Sequence, residues 1–214
     1  IGIDASVFYT HFNNRIIPDY ESNPNLIIYD NLNGFAISKG ASLNLDVTLN
    51  NGLKLLAGAT VMDVSIEENN IRETQILTEQ ISGVWSISYT ITKARLKIDY
   101  TGNLYGPMRL PLLGDLDDRP KYSPSWSLQN IQLTKDIKAK WQIYGGVKNI
   151  LNFTPPANSI ARAFDPFDKG VTFDAAGQVV STVNNPNALT FDPSTVFAPN
   201  QGVKGFLGVR FTIN

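Results

Sequence analysis

The stretch from Gly34 to Ile66 limits what this chain can fold into more than any other. Phe35, Ile37, Ala41, Leu43, Leu45, Val47 and Leu49 fall on one parity, interrupted only by Lys39. Ala36, Ser38, Gly40, Ser42, Asn44, Asp46 and Thr48 fall on the other. Asn50-Asn51-Gly52 is a tight-turn signal, after which Leu53, Leu55, Ala57, Ala59 and Val61 resume the apolar parity. Successive strand side chains point to opposite faces, so this is a hairpin with one greasy face and one small or polar face. Each arm runs to about 14 residues, whereas strands of soluble domains usually have about 5–6. A tilted strand that crosses a bilayer needs roughly 9–11 residues, plus ends that project into water. The hairpin is therefore expected to be part of a transmembrane antiparallel β-barrel, with lipid on one face and a lumen on the other.

The rest of the chain repeats the pattern. Ile1, Ile3, Ala5, Val7 and Tyr9 alternate with Gly2, Asp4, Ser6 and Thr10. Residues 13–33 and 67–78 read as long polar connections. Trp85, Ile87, Tyr89 and Ile91 alternate with Ser86, Ser88 and Thr90, and a tight turn at Thr92-Lys93 leads to Leu96, Ile98 and Tyr100. A loop over 106–124 carries four prolines. The sixth strand, Trp126 to Ile137, alternates less cleanly, which predicts a bulge near Gln129. After a short turn near Lys138 comes a strand with Trp141, Ile143 and Val147, then a very long loop over 153–200. The last strand carries Val203, Leu207, Val209, Phe211 and Ile213. Eight strands joined by alternating long loops and tight turns give an up-and-down outer-membrane barrel, with short turns in the periplasm and long loops outside. Tyr9, Phe35, Trp85, Tyr100, Trp141 and Phe211 are expected near strand ends, where interfacial aromatic girdles lie. A soluble sandwich or lipocalin-like barrel also alternates faces, but the strand lengths and the loop asymmetry argue against it.

Composition narrows the function. The 18 basic and 19 acidic residues nearly balance, so nucleic acid is not an expected partner. The chain has one histidine, His11, and no cysteine, which rules out a His/Cys metal cluster. Nothing places His11 with a nucleophile and an acid, so no enzyme, cofactor or resident metal is expected. Asp115-Leu116-Asp117-Asp118 and Asp165-Pro166-Phe167-Asp168 could hold calcium, but read more simply as solvated loops with turn-forming Asp.

Three segments carry a resemblance. Gly102-Asn103-Leu104-Tyr105-Gly106-Pro107-Met108-Arg109-Leu110-Pro111 and Trp126-Ser127-Leu128-Gln129-Asn130-Ile131-Gln132-Leu133-Thr134-Lys135 resemble the barrel of TonB-dependent outer-membrane receptors of the Bacteroidota type. Tyr144-Gly145-Gly146-Val147-Lys148-Asn149-Ile150-Leu151-Asn152 is similar to the penultimate strand of that family. The ending Phe211-Thr212-Ile213-Asn214 departs from the aromatic final residue usual there. The resemblance implies that residues 1–214 are the last eight strands of a 22-stranded barrel, a C-terminal portion of a longer receptor. The implied partners are outer-membrane lipid, the remainder of the receptor with its plug, TonB acting through the plug, and a small-molecule or oligomeric nutrient. The implied function is active import of a scarce nutrient such as a ferric siderophore or cobalamin. An oligosaccharide or peptide importer working with a surface lipoprotein lid is one alternative. A small structural or adhesive barrel made of these eight strands alone is the other.

Ligand contacts are expected from the loops and the lumen mouth, where Tyr105, Arg109, Arg119, Tyr122, Arg162 and Phe164 supply aromatic and cationic groups. Arg grips carboxylates or anionic chelates, and aromatic rings stack on flat groups. The same residues could equally pack loop against loop. Asp46, Arg95, Lys97 and Asp99 are expected to face the lumen by parity, where they can pair with one another or with a plug.

Overall fold

The computed structural model describes residues 1–214 apart from 21, 24–25, 139, 157–158, 163–170, 191, 193, 195, 198–200 and 214, with backbone alone at 161–162 and 196–197. Eight long strands form one antiparallel sheet in chain order: β1 Gly2–Asn13, β2 Gly34–Thr48, β3 Leu53–Glu68, β4 Ile81–Ile91, β5 Leu96–Tyr105, β6 Trp126–Lys138, β7 Trp141–Lys148 and β8 Lys204–Phe211. Neighbours in sequence are neighbours in space, as an up-and-down wall requires. No pairing joins β1 to β8 among the described residues, so the sheet is open at both edges. That counts against these eight strands closing as a small barrel by themselves.

The register sorts the side chains into two faces. Ile3, Leu45, Ala57, Trp85 and Gly102 form one cross-strand row, and Val7, Ala41, Val61 and Ile81 another. On the opposite face Asp4 pairs with Asn44, Lys97 with Thr134 and Gln142 with Arg210. Among the described residues, no protein layer lies against the apolar face. Val7 is 87% exposed and Leu207 81%, Leu43 is exposed, and Leu45 and Leu96 are half-buried by strand neighbours only. Among the described residues, the buried apolar side chains Leu32, Ala36, Leu110, Leu113 and Leu189 all lie at the long-loop end. A sheet so greasy on one side and without a core beneath it is stable only with hydrocarbon as its second layer.

Three expectations need correction. The β5–β6 register runs unbroken through Gly102 and Gln129. The bulge lies instead at Ile137, because Trp141 pairs with Lys138 while Gln142 pairs with Asp136. An extra residue next to a tight turn twists the strand end without disturbing the membrane span. The loops over 13–33 and 67–78 also hold structure: Ile16–Asp19 pairs with Ile28–Asn31, and Ile71–Thr74 folds back on the end of β3. The second of these turns on Asn69 and Asn70, both with left-handed backbone (φ 52 and 62), the requirement of a two-residue hairpin turn. Finally, all six girdle aromatics lie on the apolar face, yet Trp85 and Tyr100 sit in mid-strand. The Trp85 ring occupies the space beside Gly102, where a Cβ would collide with it.

Candidate functional site

The polar face is knitted sideways by short side chains. Ser6 and Ser42 share a hydrogen bond of 3.1 Å, Ser88 donates to Asp99 at 2.5 Å, and Lys97 forms an ion pair with Asp99 at 2.7 Å. Gln142 donates to Asp136 and accepts from Arg210. Asp46, Lys97 and Asp99 share this face. Arg95 does not take a strand parity at all: it ends the single helical turn Thr92–Ala94 in left-handed backbone (φ 47).

At the loop end the polar face opens into a recess of about 920 Å³. Its floor is strand: Thr101, Asn103, Trp126, Leu128, Asn130, Lys148 and Lys204. Its roof comes from two loops, through Met108, Ser123 and Pro124 on one side and Phe153, Pro155, Pro156 and Ile160 on the other. Trp126 is stacked between Tyr105, with centroids 4.4 Å apart, and Phe153 at 5.9 Å. Lys148 and Lys204 are direct cross-strand partners, and both are exposed. Neither has an ion-pair partner among the described residues. Like charges placed opposite each other destabilise a strand pair, so this arrangement favours an anion in the recess. None of Trp126, Phe153, Lys148 and Lys204 was expected from the sequence. The signal was there for the lysines, since both have polar parity at the loop ends of neighbouring strands.

Two asparagines hold the roof to the wall. Asn149 has left-handed backbone (φ 53). Its side chain donates to the carbonyls of Phe153 (2.8 Å) and Gly202 (3.2 Å) and accepts from the Phe153 amide. Asn152 (φ 51) accepts from the amide of Val203. The entry and exit of the long loop are thereby clipped together above β7 and β8. This is the structural role of the Asn-Ile-Leu-Asn run after β7, because Asn tolerates left-handed backbone and offers both a donor and an acceptor.

Of the residues expected to touch ligand, Tyr105 lies beside the recess through its stack on Trp126. Tyr122 is 41% exposed and pairs through its backbone with Arg109. Arg109 and Arg119 both take loop partners, as the packing alternative has it. Arg109 is buried, forms an ion pair with Glu73 (2.8 Å) and donates to the carbonyl of Thr74. Arg119 reaches Asp117 (2.6 Å), the carbonyl of Pro111 (2.9 Å) and the hydroxyl of Ser194 (2.6 Å), so it fastens one roof loop to the other. Burial alone would raise the Asp117 carboxyl. Hydrogen bonds from the Arg119 side chain and from the Leu113 and Arg119 amides outweigh it and hold that carboxyl below the usual range. Asp117 of the first acidic cluster is thus bound to arginine. The second cluster, Asp165–Asp168, lies outside the described residues, as do Phe164 and the side chain of Arg162.

Comparisons with known proteins fit this geometry. A family model described as TonB dependent receptor-like, beta-barrel, matches residues 1–150. No curated protein sequence matches the chain. Among solved structures, the siderophore receptor PiuA from Acinetobacter baumannii is similar with a TM-score of 0.60 at 12% identity, over 98% of this chain and 26% of that one. The ferric-catecholate import receptor Fiu from E. coli K12 gives 0.56 at 13% identity, over 71% and 21%. The pyoverdine outer membrane receptor FpvA from Pseudomonas aeruginosa PAO1 gives 0.55 at 18% identity, over 73% and 23%. At these identities the likeness shows the fold. The chain spans only about a quarter of the length of these receptors.

Proposed function

We propose, on the premise that this chain belongs to the TonB-dependent receptor-like β-barrel family, that it forms one sector of the wall of an outer-membrane importer whose cargo is an anionic ferric chelate. The family is one of outer-membrane transport proteins rather than enzymes. Two open sheet edges support the reading that further strands flank β1 and β8 and that the eight strands are the C-terminal sector of a larger barrel. The polar face then lines the lumen, against a plug domain through which TonB supplies the energy for release.

One observation carries the cargo class: the opposed Lys148 and Lys204, neither in an ion pair among the described residues, beside the Tyr105–Trp126–Phe153 stack, with the Lys148 ammonium resting over the Phe206 ring at 5.6 Å. Two ammonium groups attract carboxylates or catecholate oxygens, and the rings accept the flat part of a ligand. The stack alone would also suit the face of a sugar, the cargo of an importer with a surface lipoprotein lid; the lysine pair favours the anionic chelate. Similar structures include receptors named for ferric catecholate, ferripyoverdine and ferric yersiniabactin, which agrees with this reading. The Bacteroidota affinity rests on the sequence resemblance of the runs 102–111, 126–135 and 144–152.

The test uses the whole receptor. Lys148→Gln with Lys204→Gln should weaken binding of anionic ferric chelates about tenfold or more, from two charge-assisted contacts, while heat-modifiable gel migration stays unchanged. Trp126→Ala should weaken it further. Unaltered uptake of a panel of catecholate, hydroxamate and carboxylate chelates in both variants would sink the assignment.

A further inference from the structure

The short-turn end of the sheet carries a charge pattern that the transport reading does not use. The β4–β5 and β6–β7 turns bring Lys93, Arg95, Lys135, Lys138 and Lys140 together, and all five are exposed. The turns are stitched side by side: the amide of Asp136 donates to the carbonyl of Arg95 at 3.0 Å, and the Lys135 ammonium donates to the carbonyl of Ala94. The nearest carboxylate in sequence, Asp136, takes a hydrogen bond from Gln142. None of the five cations forms an ion pair among the described residues. Like charges gathered at one end of the sheet repel one another, and an anion placed among them would relieve that repulsion.

The register says which side that anion comes from. Lys135 shares a row with Leu96 and Ile143, and Lys138 is the partner of Trp141. Both lysines therefore belong to the apolar, lipid-facing side and not to the lumen. Trp141 packs on Phe211 with ring centroids 4.7 Å apart on that same face, and the two rings form an aromatic pair of the kind that settles at headgroup level. Cations at the rim of an apolar band, beside such a pair, lie where lipid phosphates lie.

We infer that Lys93, Arg95, Lys135, Lys138 and Lys140 form a docking surface for the phosphates of anionic phospholipid in the leaflet that meets the short turns. Long lysine stems run along the apolar rim and deliver their ammonium groups to the phosphate plane. Attraction between juxtamembrane cations and anionic lipid is additive and falls within a Debye length, so it is salt-sensitive. The inference rests on the membrane-barrel reading but not on any cargo.

The whole receptor in nanodiscs of mixed phosphatidylcholine and phosphatidylglycerol provides the test, with lipid retention read by native mass spectrometry. The wild type should retain phosphatidylglycerol preferentially and lose that preference in high salt. Replacing Lys93, Arg95, Lys138 and Lys140 by Gln should reduce the preference about tenfold or more. Replacing Lys121, at the loop end, should leave it in place. Heat-modifiable migration reports separately whether the barrel itself has formed. Equal retention of both lipids by the wild type, or an unchanged preference in the fourfold variant, overturns the inference. Binding of polyglutamate without any lipid preference overturns it too, in favour of an acidic protein partner.

Discussion

The strand wall and the loop roof of this molecule are specified in opposite ways. In the wall the same instruction is repeated in every second residue. Row after row, from Ile3–Leu45–Ala57–Trp85 to Trp141–Phe211, places an apolar side chain outward. In the roof single side chains decide. Arg119 joins Asp117, Pro111 and Ser194, and Asn149 clips Phe153 to Gly202. The wall is therefore tolerant of a lost contact and intolerant of a wrong sign of polarity, whereas the roof tolerates changes of polarity on its surface and depends on individual clasps.

The largest expected effect breaks the wall by sign. Leu45→Arg should cost roughly 2–4 kcal/mol if it meets the bilayer midplane, and Asp46→Arg, one residue away on the wet face, far less. Equal losses at the two positions, measured by folding of the receptor into lipid vesicles, would erase the distinction between the faces.

Next in size is the loss of one clasp. Asp117 and Arg119 are both nearly buried, with side-chain exposures of 9% and 12%, and removing one partner of such a pair strands the other. Arg119→Ala should expose the two roof loops to protease while the barrel still resists heat. Acid should do the same to the wild type. The Asp117 carboxyl is held below its ordinary value in the fold, so its contribution is fully present above the unfolded value of about 3.9. It is lost as pH falls through the lowered folded value. Pepsin should therefore spare these loops at the upper end of its range and cut them at the lower. A cleavage rate independent of pH, and equal in the Arg119 variant, would mean that the clasp holds nothing.

The smallest effect is expected where the roof has neither clasp nor burial. Thr172 pairs with Val180, so the ends of the tip between them already meet. Excising 173–179 should leave barrel assembly and thermal resistance within error of the wild type, since exposed tips tolerate shortening. Failure to assemble would give that tip a structural part.

These differences explain what could be read in advance. Strand number, order and facing were legible because period-two alternation is local, and Asp46, Lys97 and Asp99 lie on the polar face that their parity assigns. The partners of the arginines were not legible, for a physical reason. Arg109 finds the carbonyl of Thr74 35 residues away and Arg119 finds Ser194 75 residues away, and no local pattern records such partners. Arg95 escaped its parity because a helical turn intervenes before β5. The bulge at Ile137 was displaced from Gln129 because weak alternation shows that a strand is irregular without showing where its partner slips.

By itself the sequence determined a sheet with one oily and one wet side, because that information is carried by neighbours two residues apart and needs no distant contact. Only the tertiary structure decided what the loops do and where a ligand can be held. Lys148 and Lys204 become a pair only when β7 and β8, separated by a long loop, are hydrogen-bonded in one particular register, and Phe153 joins Tyr105 and Trp126 only when that loop folds back over the wall.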